Sequence, residues 1–404
     1  MSSRHRDTGE AFAGPRACID LDAIRTNVGI ARERSEGREC IAVIKADGYG
    51  HGVLPVAREV LAAGATQLAV VTADEAAELR SGGIAAPILV LGGPRDAGEA
   101  VAIVEAHATA VLHHEVAIRW LSDAARKAGR SANVQIEVDT GMRRMGVAEE
   151  QAPAFAERIA AEAGLSLQGV FTHFARADED SESASIEQCE RFRAVLRSLD
   201  QRGISPVHVH AANSAGLLSP SIVAALPEAT AVRPGLMLYG VCPAARHAGL
   251  GLKPAMSLRA PVVQIHTVSR GETVGYGGTW RAERDTRVAT LALGYADGLS
   301  WVTAAPGSGA AVWLGGARRP IAGRVSMDSV GVEIGPEGGA EAIRPGDEAV
   351  FFGPIDADEQ AGSSGVVPIP VEQAAAAAGT LHYELLVRVG RRVERDFTGA
   401  SSGV

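Results

Sequence analysis

Lys45 stands where an apolar run meets a glycine-rich one, in Ala42-Val-Ile-Lys-Ala-Asp-Gly-Tyr-Gly-His-Gly52. A lysine at the inner end of a buried strand is costly unless it is paired or used covalently. One reading is a strand-end amine that reaches solvent. The other is an amine that condenses with a carbonyl compound, the Schiff-base lysine of covalent catalysis. Tyr49, in the loop that follows, is either an aromatic cover or a contact to whatever the lysine holds. Arg144, His173, Asn213, Ser214 and Arg233 are further residues of reactive or anion-binding type.

The elements that must carry these residues follow from periodicity. From about residue 41 to 235, short apolar runs alternate with longer stretches of helical period, as in strand-helix units around a parallel sheet. Eight strands are expected: Ile41 to Lys45, Gln67 to Val71, Ile88 to Leu91, Thr109 to His113, Asn133 to Asp139, Leu167 to His173, Val207 to Ala211 and Thr230 to Arg233. Helical patterns lie between them, such as Val53 to Ala62, Ala73 to Arg80, Val116 to Ala128 and Ser185 to Arg202. Eight units over this length predict a closed (β/α)8 barrel, whose chemistry sits at the carboxyl ends of the strands. Lys45, His173 and Arg233 close their strands, Arg144 follows the fifth, and Asn213 and Ser214 follow the seventh. Each residue taken alone has an ordinary explanation, such as a satisfied core histidine for His173 or His210. Their joint placement at strand ends is what favours a site.

After about residue 250, β-branched runs separated by glycine and proline predict a β-rich domain: Ala260 to Val268, Val288 to Leu293, Ala311 to Leu314, Asp328 to Ile334 and Ala349 to Phe352. The expected organisation is a disordered extension (1–15), an α/β barrel (16–250) and a C-terminal β-rich domain (251–404). Gly335 to Gly339 and Gly362 to Gly365 read as surface loops.

The chain has 404 residues, 46% of them apolar, enough for two cores. Its 39 basic against 48 acidic residues leave no basic stripe, which argues against a nucleic-acid partner. Four scattered cysteines, Cys18, Cys40, Cys189 and Cys242, form neither a disulfide framework nor a zinc pattern and fit a reducing compartment. No stretch of eighteen uncharged apolar residues occurs, so the expected protein is cytoplasmic and free of membrane.

At the Lys45 string the sequence resembles the alanine racemases. Further matches run in the family's order along nearly the whole chain: Phe171-Thr-His-Phe174, Ala212-Asn-Ser-Ala215, Arg233-Pro-Gly-Leu236 with Tyr239-Gly240, Tyr276-Gly277, Gly294-Tyr-Ala-Asp-Gly298, Gly323-Arg-Val-Ser-Met-Asp328 and Tyr383-Glu384. The resemblance implies a pyridoxal 5'-phosphate enzyme working as a homodimer with shared active sites. It implies that Lys45 carries the cofactor and that Tyr49, Asn213, Ser214, Gly235, Leu236 and Tyr383 bind it. His173 then lies beside the cofactor ring and Arg233 meets the ring nitrogen. Arg144, Tyr295 and the Met327 backbone engage the substrate, and Tyr276 arrives from the other subunit.

Racemisation removes a proton from one face of a planar carbanion and returns one to the other face, so two acid/base groups must flank it. Lys45 and Tyr276 are the expected pair. Arginine stays protonated, so Arg233 can only donate to a ring nitrogen that lacks its own proton. That makes a weak electron sink, which favours reprotonation over transamination or elimination.

Some positions depart from the family pattern. Glu137 stands where many members have a lysine that becomes carboxylated, Arg143 replaces a glycine, and Ser326 replaces a cysteine. Arg176 and Trp301 alter positions that line the family's substrate entrance. Either they shift the preference away from alanine, for example toward serine, or they relocate one charge without effect. A decarboxylase is disfavoured by Arg233, and a metal-dependent aldolase by having only His382 near the C-terminus. A non-catalytic cofactor-binding homologue is the remaining alternative.

Overall fold

The computed structural model describes residues 14–304, 309–336, 343–355 and 369–399. Most of the expected N-terminal extension and of the two glycine-rich loops lies outside the described residues. The chain forms two compact units: Leu21–Lys253, and Pro254–Gly399 together with the opening strand.

That opening strand is β1 (Arg16–Asp20), and the first unit supplies β2 (Glu39–Val43), β3 (Gln67–Val70), β4 (Ile88–Val90), β5 (Thr109–Leu112), β6 (Ala132–Asp139), β7 (Val147–Ala148), β8 (Leu165–Phe171), β9 (His208–His210) and β10 (Ala231–Val232). Strands β2, β3, β4, β5, β6, β8, β9 and β10 pair in parallel and close into a ring through β10–β2 and β5–β6. The two-residue β7 adds to the outer end of β6. This is the eight-stranded barrel expected from the sequence. Every residue of β3, β4 and β5 is buried, as in parallel strands covered on both faces.

The helices around the barrel follow from their patterns. Glu115–Lys127 buries Ala117, Ile118, Leu121, Ala124 and Ala125 on one face, with Glu115 in its first turn and Arg126 and Lys127 in its last. Except for β6, which ends at Asp139 as expected, the barrel strands end one or two residues before the sequence reading placed them. Ile44 N–H still donates to Ala69 O at 2.9 Å, and the chain then turns away. Lys45, His173 and Arg233 therefore sit just beyond their strand ends, where a barrel presents its catalytic loops.

The second unit holds β11 (Met256–Val268), β12 (Thr273–Val274), β13 (Trp280–Arg281), β14 (Thr286–Leu291), β15 (Ala311–Leu314), β16 (Ala317–Pro320), β17 (Val330–Gly335), β18 (Glu348–Phe352) and β19 (Glu394–Thr398). Its main sheet runs β16-β15-β18-β11-β1-β19, with β14 paired to β11 and β17 to β14. The assignment of 16–250 to the barrel needs one correction, because β1 lies in this other sheet. It pairs antiparallel to β11 and parallel to β19, and Arg16 bonds Glu348 and Asp396. Its burial alternates, as in a strand with one solvated face, unlike the fully buried barrel strands. Two short helices, Val371–Ala377 and His382–Val387, also interrupt the β-rich region.

Candidate active site

Immediately after Lys45 the backbone takes a left-handed turn. Ala46, Asp47 and Tyr49 have φ of 53°, 54° and 54°, and Gly48 has 61°. For residues with a Cβ this conformation costs roughly 1–2 kcal/mol each, so the turn must be held. Gly48 N–H donates to Ile44 O at 3.0 Å, Gly50 N–H to Ala46 O at 2.9 Å, and Val53 N–H to Asp47 Oδ1 at 2.7 Å. Burial, joined by the charge of Arg144, pulls the Lys45 amine below the ordinary lysine value, and Glu75 partly opposes the shift. A neutral amine is what both imine formation and proton abstraction require.

Four expected cofactor residues converge beside this turn. Ser214 Oγ accepts from Gly235 N–H at 2.9 Å and from Met237 N–H at 3.2 Å. Leu236 opens a short 3-10 turn, Leu236–Tyr239. Tyr49 is buried against Tyr239, with ring centroids 4.9 Å apart. A Cβ on Gly235 would lie 2.8 Å from the Tyr49 hydroxyl, so the concavity between them exists only with glycine there. Asn213 caps the adjoining helical turn, its Oδ1 accepting from Gly216 N–H at 3.0 Å.

Arg233 is 3% exposed and surrounded by acceptors. Nη2 donates to Thr172 O at 2.8 Å, Ala211 O at 3.2 Å and His173 Nδ1 at 3.3 Å, while Nη1 donates to His210 Nδ1. The guanidinium also lies 4.6 Å from the centre of the Phe171 ring. Burial pushes Arg233 down to about 10, opposed by Glu137, so it stays charged near neutrality. His173 is driven down to about 3 by burial and then by Arg233, Arg144 and Lys45, which leaves a neutral ring. His210 Nε2 donates to Gln135 Oε1 at 2.8 Å, and this fixes Nδ1 as the acceptor for Arg233. Gly169 leaves room for that amide, since a Cβ there would meet Gln135 Cδ at 2.8 Å.

Arg144 is exposed, and among the described residues it makes no hydrogen bond or ion pair. Glu137, buried nearby, faces His113 Nδ1 at 3.6 Å and makes no ion pair with Arg144. Burial raises the Glu137 carboxyl, while Arg233 and Arg144 lower it. The charges of Arg144 and Glu137 therefore act on each other across the site without contact.

Tyr276, Tyr295, Met327 and Tyr383 belong to the other unit, and all four are exposed. Tyr276 occupies the turn between β12 and β13, a ribbon anchored by Val274 and Trp280 against Val268, Ala282, Val288 and Ala322. Tyr295 and Met327 are backbone neighbours, with Tyr295 N–H donating to Ser326 O and Ala296 N–H to Met327 O, both at 3.0 Å. Tyr383 stacks on His382. Of the two altered entrance positions, Arg176 forms a bidentate pair with Glu179, at 2.7 and 2.6 Å. Trp301 carries Arg324 over its ring at 5.6 Å.

Residues 19–243 match the family described as alanine racemase, N-terminal domain, and residues 255–397 match alanine racemase, C-terminal domain. The chain belongs to the alanine racemase family. An alanine racemase from Thermobifida fusca is 40% identical over 95% of this chain and 98% of its own, and one from Mycobacterium ulcerans is 38% identical over 96% and 95%. Among solved structures, the alanine racemase of Streptomyces lavendulae superposes with a TM-score of 0.87 at 34% identity, covering 97% of this chain and 98% of that one. The Bacillus anthracis alanine racemase with bound L-Ala-P gives 0.84 at 32% identity, covering 98% and 97%.

Alanine racemases are pyridoxal-phosphate-dependent isomerases, and this chain is an amino-acid racemase of that kind. Its own residues fit the cofactor. A lysine of lowered basicity stands beside a glycine-walled cradle of backbone N–H groups and a charged donor at a neutral histidine. Among the described residues no cluster of side chains suited to a metal occurs, and no helix is long and apolar enough to cross a membrane. Reading the sequence missed two residues that contact this constellation, Gln135 at His210 and Glu75 at Ala46. Gln135 left no signal beyond a polar residue inside an apolar strand. Glu75 had one, the Thr72-x-x-Glu75 pattern of a capping box.

Proposed function

We propose that this family member interconverts L- and D-alanine with Lys45 and Tyr276 as opposed bases, in a cytoplasmic homodimer whose sites take Tyr276 from the second copy. The observation that carries the reading is the pairing of a Lys45 amine made less basic by burial with an exposed Arg144 guanidinium that no hydrogen bond or ion pair engages among the described residues. Together they offer an amine for chemistry at the α-carbon and an anchor for the α-carboxylate.

Lys45, Tyr49, Ser214, Gly235, Leu236, Arg233 and His173 would hold pyridoxal phosphate, with Tyr383 and Asn213 alongside. When bound, the cofactor supplies an electron-withdrawing ring that stabilises negative charge at the substrate α-carbon. Arg144 would hold the substrate carboxylate, with Tyr295 and the Met327 backbone completing the contact. Lys45 takes the α-proton on one face, and the Tyr276 phenol gives one on the other. Arg233 keeps its proton and would donate to the cofactor's ring nitrogen, so the ring would act as a weak electron sink that favours reprotonation.

The exposure of Tyr276, 72%, supports a role outside its own fold, and it is the most exposed large apolar or aromatic side chain among the described residues. Four free cysteines support a reducing compartment. The test is incubation of the cofactor-loaded protein in heavy water with single enantiomers of alanine, serine and other amino acids. Proton loss is followed by NMR and product chirality by chiral chromatography. Exchange with inversion, led by alanine, is expected. Loss of the α-proton from no amino acid would overturn the reading in favour of a non-catalytic homologue, and serine leading would move the substrate assignment.

A further inference from the structure

Glu75 lies in the helix that follows β3, yet it does more than cap that helix. The capping box accounts for Glu75 N–H donating to Thr72 Oγ1 at 3.2 Å and for Thr72 N–H donating to Glu75 Oε2 at 3.1 Å. Two other contacts reach further. Oε2 also accepts from Val71 N–H at 2.7 Å, and Oε1 accepts from Ala46 N–H at 2.6 Å. One carboxylate thus joins the ends of two neighbouring barrel strands, and Ala46 is both the residue after Lys45 and the first of the left-handed turn.

Left-handed backbone at three residues with a Cβ persists only where surrounding contacts over-determine it. Hydrogen bonds within the turn, and one from the helix entry that directly follows it, hold it locally. Glu75 ties it to a separate element. We infer that Glu75 is a positioning residue for Lys45: its carboxylate clamps the strained turn to the end of β3 and so fixes where the catalytic amine stands. The same anion is also the negative group acting on Lys45, opposing burial and Arg144, while Arg233 and His173 face the site from β10 and β8. Loss of the clamp would loosen the cofactor's attachment and misplace the base, with little effect on the substrate carboxylate held by Arg144.

The inference rests on the racemase reading, but it is testable without turnover. The full-length, cofactor-loaded protein is compared with Glu75→Gln, with Thr72→Ala as a cap-only control, and with Glu75→Gln combined with Ala46→Gly. Three quantities are read: the rate of cofactor release by absorbance, kcat and KM for alanine, and the thermal midpoint. Glu75→Gln is expected to speed release and lower kcat by about tenfold or more, the scale of one lost charge-assisted hydrogen bond, with KM changing much less. Thr72→Ala lowers the thermal midpoint without speeding release. Ala46→Gly recovers retention in the Glu75→Gln background, because glycine adopts positive φ without strain.

Wild-type release and kcat in Glu75→Gln would overturn the inference. So would an equal effect from Thr72→Ala, or no recovery from Ala46→Gly. Should Glu75→Gln fail to fold, Glu75→Asp carries the same comparison, keeping the charge but not the reach to both loops. A wild-type protein that binds the cofactor yet racemises nothing overturns the functional reading alone, since release still reports on Glu75.

Discussion

His173 and His210 are held neutral by burial and by Arg233, which ties their protonation to stability. An unfolded histidine titrates near 6.5, whereas His173 in the fold titrates at about 3. Between those values the unfolded chain binds more protons than the folded one, so stability rises with pH across the window and is lost as pH falls through it. The thermal midpoint is therefore expected to drop as the solution is taken from about pH 6.5 toward pH 4, and replacing both histidines by glutamine should flatten that slope. A midpoint already flat in the wild type would contradict the buried-neutral assignment. At this scale the reactive types were legible because they gather at strand ends, as Lys45, His173 and Arg233 do. Gln135 was not, because fixing the ring form of His210 depends on a neighbour 75 residues away. Glu137, which stands where many family members have a carboxylated lysine, acts on Arg144 through its charge alone, because the fold turns its carboxylate toward His113.

Elements were legible where burial is uniform and obscure where it is one-sided. The barrel strands read most plainly where, as in β3, β4 and β5, a short run is buried on both faces throughout. Strand β1 was placed with the wrong domain, although its alternation, Arg16 out and Ala17 in, already matched a sheet with one wet face. Its partners, β11 and β19, lie some 240 and 380 residues away, and no local pattern carries that distance. The left-handed turn after Lys45 was likewise hidden, since three of its five consecutive positive-φ residues, Ala46, Asp47 and Tyr49, are not glycine. The cradle facing it makes a sharper expectation. Gly235→Ala would set a methyl 2.8 Å from the Tyr49 hydroxyl. Overpacking of about 1–3 kcal/mol corresponds to a rise of roughly five- to a hundred-and-fifty-fold in the Kd for pyridoxal phosphate. Gly29→Ala, in the helix Leu21–Arg34 with open space at its Cβ, is the matched control and should leave that Kd unchanged. Equal Kd values for both variants would remove Gly235 and Tyr49 from the cofactor cradle.

At the scale of the whole molecule, the barrel unit carries the proposed lysine base, carboxylate anchor and cofactor cradle, while the proposed second base stands on the other unit with its side chain exposed. Tyr295, Trp301, Met327, Leu381 and Tyr383 of that unit are also exposed. A second copy of the chain is the partner that would both cover them and receive Tyr276. That arrangement can be separated from a site built within one chain. Lys45→Ala and Tyr276→Phe should each abolish racemisation on its own. In a dimer with shared sites, a mixed pair has one site lacking both bases and one site fully intact. Equal amounts of the two variants, unfolded together and refolded with cofactor, should then recover about a quarter of the wild-type activity, because half the dimers are mixed and each has one working site. If each chain completed its own site, every site in the mixture would lack one base and no activity would return. Recovery near a quarter would assign Tyr276 to the other subunit, and absence of recovery from refolded dimers would return it to its own chain.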